Sequence, residues 1–286
     1  MIGKLTARWL RRRVEFVKRP LTLEIIMAFE FCSVACEGPL TIVTLNRPEV
    51  MNALHSPSHY ELSKIFDDFA ADPEQWVAIV TGAGERAFSA GNDLKHQAKG
   101  GALDRPPTGF AGLTARFDLD KPLIAAVNGI AMGGGFEIAL ACDLIIASEN
   151  AVFALPEPRV GLAALAGGLH RLPRQIGLKQ AMGMILTGRR VGAQEGKTLG
   201  FVNEVVAPAE LMNAARRWAS LILECSPMSI RASKQTVLRG LGEASVAAAR
   251  AAQSDYPAVK AMRASQDFIE GPRAFAEKRK PAWKGR

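Results

Sequence analysis

The chain of 286 residues is short of the residue types that mark several protein classes. Its four cysteines, Cys32, Cys36, Cys142 and Cys225, are scattered too widely for a disulfide framework. Cys32 and Cys36 also lack the second ligand pair that a zinc site needs. Free thiols fit a reducing, cytoplasmic setting. There are four histidines, His55, His59, His96 and His170, and each reads as a surface or loop residue. A resident metal is therefore not expected. No apolar run reaches the roughly 18 residues that cross a bilayer, which argues against a membrane partner. The glycine clusters do not follow the GxGxxG pattern, and no acid stands where a dinucleotide site would need one, so no redox cofactor is implied.

Charge of one sign is in excess, but locally. The formal net charge is +8. Residues 1–26 contain Lys4, Arg8, Arg11, Arg12, Arg13, Lys18 and Arg19 against Glu15 and Glu24; seven cations and two anions give +5, leaving +3 for the other 260 residues. The excess marks residues 1–26 as a basic N-terminal extension, expected to be disordered or to precede a true start at Met27. A nucleic-acid role would rest on that arm alone. The arm lacks the long apolar run and small-residue cleavage site of a secretory signal.

What remains reads as an α/β protein. Short apolar strands are expected at 39–45, 76–81, 87–90, 122–127, 144–147 and 151–154. A helix is expected from Ser56 to about Ala71, with Leu62, Ile65, Phe66 and Phe69 on one face. Residues 100–112 are rich in Gly and Pro and read as a mobile loop. Beyond about residue 172 the pattern turns helical, with one strand at 201–206. The division that follows is a core over 27–205 and a helical oligomerisation region over 206–286.

Three features carry chemistry. Phe88-Ser-Ala-Gly-Asn-Asp-Leu-Lys95 places small residues at a strand exit. Gly133-Gly-Gly135 opens a strongly apolar helix whose single acid is Glu137. Phe153-Ala-Leu-Pro-Glu157 puts a second acid after a short strand. Small residues at a helix start let a ligand approach free N–H groups, and the helix dipole favours developing negative charge there. Two carboxylates beside such a cavity can divide acid and base roles if their surroundings separate their proton affinities.

The runs LNRPEVMNAL, AFSAGNDLK, AAVNGIAMGGGFEIALACD and FALPEPRVGL, in this order and spacing, resemble the enoyl-CoA hydratase/isomerase (crotonase) superfamily over about 29–286. GFAGLTARFDLDKP, LTGRR and the closing IEGPRAFAEKRKPAWKGR are similar to its carnitinyl-CoA dehydratase branch. The resemblance implies a crotonase (ClpP-like) fold of repeated ββα units with a helical C-terminal region, assembled as a homotrimer or a dimer of trimers. It implies an acyl-CoA thioester substrate, with CoA as part of the substrate rather than a cofactor, and a hydro-lyase reaction of the kind used in fatty-acid β-oxidation. By the same resemblance, Ala90 and Gly134 supply the N–H groups of an oxyanion hole, and Glu137 and Glu157 are the catalytic pair. Glu49, Val50 and Met51, the stretch Ser89, Gly91, Asn92 and Asp93, and Lys278 match CoA-contacting regions.

Two departures bear on the acyl group. Asn92 stands where dehydratase relatives carry a large aromatic, and Ala163-Ala-Leu-Ala166 replaces their usual loop. A trimethylammonium group calls for an aromatic or anionic cage, and none is visible in the sequence. A carnitinyl-CoA dehydratase-like activity, a double-bond isomerase and a non-catalytic acyl-CoA- or RNA-binding protein stay open as alternatives at this point.

Overall fold

A computed structural model describes residues 14–19 and 22–286. The described strands are β1 (Val14–Arg19), β2 (Thr22–Ala28), β3 (Cys32–Glu37), β4 (Leu40–Leu45), β5 (Val77–Gly82), β6 (Ala87–Ser89), β7 (Leu123–Val127), β8 (Ile130–Met132), β9 (Leu144–Ser148), β10 (Val152–Ala154), β11 (Val191–Gly192) and β12 (Glu204–Val206). The helices are α1 (Ser56–Ala71), α2 (Leu94–Ala98), α3 (Gly134–Ala141), α4 (Gly168–Gln175), α5 (Leu178–Thr187), α6 (Ala193–Leu199), α7 (Leu211–Leu223), α8 (Pro227–Gly240), α9 (Val246–Ala252), α10 (Pro257–Ala264) and α11 (Gln266–Ala276).

From β5 to β10, consecutive strands alternate between two sheets. The larger runs β1-β2-β3-β4-β5-β7-β9-β12 and the smaller β11-β10-β8-β6. Pairing is antiparallel from β1 to β4, parallel from β4 through β12 in the large sheet, and parallel between β6, β8 and β10 in the small one. Each of these repeats thus gives one strand to each sheet before its helix, the ββα arrangement that the family resemblance implies.

Both faces of the large sheet are covered at β5 and β7, so these central strands are buried along their whole length rather than alternating. On β5 and β7, Ala78, Val80, Leu123, Ala125 and Val127 face the small sheet and α1 in the main core. Val77, Ile79, Ile124 and Ala126 face the opposite way, against Leu211, Ala214, Ala215 and Ala219 of α7. The small alanines let α7 lie close to the sheet. The α1 face is as predicted: Leu62, Ile65, Phe66 and Phe69 are buried, each stabilising the fold by roughly 1.5–3 kcal/mol.

Three differences from the sequence reading have physical causes. Of the arm assigned to residues 1–26, Val14–Arg19 forms β1 and residues 22–26 most of β2, which extend the large sheet antiparallel to β3; Val, Ile and Thr favour strands even within a basic segment. Residues 1–13 lie outside the described residues. The two- and three-residue strands β8 and β11 are too short to leave a period. The segment 206–286 also divides, because α7 covers the core sheet while α8 and α10 close around a separate cluster of Ala232, Tyr256, Ala258 and Val259. Among the described residues, no helix is long and apolar enough to cross a membrane.

Candidate active site

The site forms where the repeats bring β6, β8 and β10 side by side. Their C-terminal ends lead to Ser89–Asp93, to Gly133–Gly135 and to Leu155–Glu157. Gly133 adopts φ 53°, ψ −125°, a region essentially closed to side-chain-bearing residues. A Cβ there would also stand 2.8 Å from Glu157 Oε1. The carboxyl of Glu157 therefore leans against bare backbone at the start of α3. Gly91, at φ 87°, closes the opposite side; a Cβ on it would meet Met132 O at 2.6 Å and Gly134 N at 2.9 Å. These two glycines bring the Ser89–Asp93 loop and the α3 N-terminus into contact.

Glu137 lies in the first turn of α3, 3% exposed, on a helix that is otherwise apolar on every side. Phe136 beside it is locked into a cluster with Phe153 and Phe201, with ring centroids 5.1–5.2 Å apart. That packing fixes the helix rotation and with it the direction of Glu137. Glu137 Oε1 accepts a 2.9 Å hydrogen bond from the N–H of Gly168. Burial pushes the Glu137 carboxyl up to about 7; the Gly168 N–H opposes the rise and the nearby Glu157 charge adds to it. Burial raises the Glu157 carboxyl as well. Glu157 Oε2 is buried with no hydrogen-bond partner among the described residues. An unpartnered buried carboxylate oxygen is costly for folding and is the kind of group that function retains.

A third wall comes from residues 104–112. Ser56 Oγ donates to Asp104 Oδ1 at 2.8 Å, Ser63 Oγ and Thr108 Oγ1 are 2.8 Å apart, and the Ala111 N–H donates to His59 Nδ1 at 3.1 Å. This face of α1 thereby anchors the Gly/Pro-rich stretch that was expected to be mobile, and buries Phe110, Ala111 and Gly112. The Phe110 ring lies over Gly134, its atoms 2.5–3.0 Å from where a Cβ would be. His59 is 2% exposed, its ring centroid 4.4 Å from that of Phe110, and burial lowers it to about 3, so the imidazole is neutral. The surface assignment of His59 was wrong because its polar sequence neighbours Tyr60 and Glu61 mask a buried helical position.

Two raised carboxyls thus face a glycine-built helix start. The family model described as enoyl-CoA hydratase/isomerase matches residues 36–286. The chain belongs to this family. Carnitinyl-CoA dehydratase of Citrobacter koseri is 47% identical over 256 residues, which cover 87% of this chain and 96% of that protein. A crystal structure of an enoyl-CoA hydratase from Mycobacterium tuberculosis superposes with a TM-score of 0.84 at 36% identity, over 90% of this chain and 100% of that one. A carnitinyl-CoA hydratase from Mycobacterium avium gives 0.71 at 39%, over 91% and 100%. The crotonase architecture and the hydro-lyase character of the family are thereby shared.

Within this family member, the predicted site residues separate into groups. Glu137, Glu157 and Gly134 meet at one place. Ala90 does not offer a free N–H: it donates to Met51 O at 2.9 Å. Two residues on, Asn92 N–H has no acceptor among the described residues, although Leu54 N–H donates to Gly91 O and Asp93 N–H to Leu54 O around it. Gly134 N–H, in the first turn of α3, has no intrahelical acceptor. The register of the hydrogen bonds therefore favours Asn92 over Ala90 as the partner donor to Gly134.

The residues matched to CoA-contacting regions form a second group. Ser89 Oγ donates to Asn52 O and accepts from Gly91 N–H, at 2.8 and 3.1 Å, which ties the site loop to the turn containing Glu49, Val50 and Met51. Asp93 caps α2 through His96 N–H and pairs with Arg47 at 3.1 Å. Burial alone would raise the Asp93 carboxyl, but the His96 N–H and the Arg47 guanidinium outweigh it and hold it below its ordinary value. Asn92 directs its side-chain amide to Gln97 Oε1 at 2.7 Å. Lys278 is exposed just beyond α11, on the C-terminal helical cluster rather than on these loops. Among the described residues, no group of three or more His, Cys, Asp or Glu side chains could hold a metal ion. The sequence did not single out Phe110 or Gly168; only the Gly167-Gly168 pair before an amphipathic helix carried a visible signal.

Proposed function

We propose that the protein is an enoyl-CoA hydratase that reversibly adds water to trans-2-enoyl-CoA thioesters. The observation that carries this reading is the pair of raised carboxyls, Glu137 and Glu157, at the glycine-lined start of α3. The thioester carbonyl accepts from the N–H groups of Gly134 and Asn92, which stabilise the enolate oxygen as charge develops on it. Glu137, ionised, takes a proton from water as the water oxygen bonds to Cβ. Glu157, protonated, delivers a proton to Cα. Glu137 ends protonated and Glu157 ionised, and transfer of one proton back between them restores the pair. Separate proton affinities in a shared dry site make that division possible.

CoA lies along Glu49–Met51 and Ser89–Asp93 in this reading, with Lys278 as a flexible cation for its phosphates. The protein acts in the cytoplasm as a homotrimer or a dimer of trimers. Exposed apolar side chains on α5 (Leu178, Met182, Leu186) and α11 (Phe268, Ile269, Phe275) support burial between subunits. A second reading, a carnitinyl-CoA dehydratase-like activity, is favoured by the 47% identity to proteins of that name. A panel of enoyl-CoA thioesters, including crotonyl-CoA and crotonobetainyl-CoA, tests both through loss of the enone absorbance. Hydration of crotonyl or longer enoyl chains supports the first reading, and hydration of crotonobetainyl-CoA alone the second. No hydration of any member refutes both.

A further inference from the structure

The wall over Gly134 carries a cation that water addition does not require. Arg105 lies five residues before Phe110, and its guanidinium carbon is 5.2 Å from the Phe110 ring centroid. The same ring packs on Gly134, where the thioester carbonyl is held, so an acyl chain leaving that carbonyl passes along Phe110. Phe110 is apolar, His59 behind it is neutral and Asp104 is turned to Ser56, which leaves Arg105 as the cation of this wall.

Its placement is built rather than incidental. Arg105 precedes Pro106-Pro107, which restricts its backbone to extended conformations. Pro106 is buried, and the neighbouring Asp104 is held towards α1 by Ser56. Among the described residues, no carboxylate forms an ion pair with Arg105, and Asp104 does not neutralise it by contact. Its positive charge reaches far enough to oppose the rise of the Glu137 carboxyl and to depress His59. A guanidinium free of a carboxylate partner and stacked on an aromatic face is suited to a second, planar anion.

Building on the acyl-CoA reading above, we propose that Arg105 sets the charge selectivity of the acyl pocket, favouring enoyl chains that end in a carboxylate and disfavouring those with a fixed positive charge. A guanidinium can accept a carboxylate through paired N–H donors, whereas a quaternary ammonium meets it as like charge. A cationic acyl group calls for an aromatic or anionic cage, and Arg105 presents it with a like charge instead.

The test compares kcat/KM for glutaconyl-CoA, which ends in a carboxylate, with that for crotonyl-CoA, in the wild type, Arg105→Gln and Arg105→Lys. The expected result is at least a tenfold fall in the glutaconyl-to-crotonyl ratio for Arg105→Gln, with Arg105→Lys keeping most of the preference. Tenfold corresponds to about 1.4 kcal/mol of discrimination. Added salt lowers the wild-type ratio and leaves that of Arg105→Gln unmoved. An equal ratio in all three proteins overturns the proposal while leaving the hydratase reading intact. If the wild type hydrates neither thioester, the hydratase reading falls, and equilibrium binding of glutaryl-CoA against butyryl-CoA decides instead. A wild-type preference for glutaryl-CoA that Arg105→Gln removes sustains the inference; an unchanged preference, or no binding of either, overturns it.

Discussion

Replacing Glu137 by Gln separates what the fold tolerates from what the chemistry needs. The carboxyl sits at about 7 in the folded protein against an ordinary 4.5, chiefly because of burial. A folded value above the unfolded one means that the native state binds more protons between those two pH values. Stability therefore falls as pH rises from about 4.5 to about 7, and the deficit stays in full above that window. At 1.36 kcal/mol per unit, this amounts to about 3 kcal/mol at pH 8. Gln has nearly the same shape, carries no charge, and keeps an oxygen for the Gly168 N–H. Its unpaired NH2 returns roughly 1 kcal/mol of that gain. Glu137→Gln should thus be more stable than the wild type at pH 8 by about 2 kcal/mol, a rise in Tm of roughly 4–8 °C. Near pH 5 the advantage should shrink to nothing or reverse. Thermal unfolding of both proteins at equal concentration, at pH 5 and pH 8, measures this, while turnover at pH 8 should fall by about 10²–10⁴. A stability difference that ignores pH would refute the assignment of a buried, strained charge at this position.

Other outcomes follow from the same geometry. Glu157→Gln should lower turnover by about 10²–10⁴ with circular dichroism unchanged, since the buried Oε2 has no structural partner to lose; near-wild-type rates would remove it from the pair. Gly133→Ala places a methyl 2.8 Å from Glu157 Oε1 at φ 53°, so it should both destabilise the fold by roughly 1–3 kcal/mol and lose activity, read by unfolding and initial rates. Hydration rates should fall on both sides of neutral pH, because one carboxyl must be ionised and the other protonated and both are raised. The two limbs belong to the coupled pair rather than to either residue, and a flat profile from pH 5 to 9 would contradict the division of roles. Asp93→Asn removes the ion pair to Arg47 that ties α2 to the turn proposed to hold the nucleotide, and should raise KM for acyl-CoA more than it lowers kcat.

The acids were legible because each breaks a local rule. Glu137 stands alone in an apolar helix after three glycines, and Glu157 follows a proline at a strand exit, so neither fits a packing role. The strands of the large sheet and α1 were legible through their apolar periods. The proposed oxyanion donors were only half legible, because which N–H stays free depends on the bond from Ala90 to Met51, a pairing across 39 residues. Phe110 and His59 were hidden for a related reason. Their roles arise where α1 meets a loop whose Gly and Pro content speaks of turns and says nothing of burial. The strands β1 and β2 were hidden by charge, since a basic composition draws attention from the β-branched residues within it.

The central claim is that this site adds water across the double bond, with oxygen at Cβ and a proton at Cα. Incubating crotonyl-CoA with the protein in deuterium oxide enriched in oxygen-18, followed by mass spectrometry, tests it directly. The account predicts a 3-hydroxyacyl-CoA carrying one oxygen-18 at Cβ and one non-exchangeable deuterium at Cα, with both labels lost in Glu137→Gln and Glu157→Gln. Deuterium entering recovered enoyl-CoA without oxygen-18 in any product would instead mark a double-bond isomerase and contradict the account.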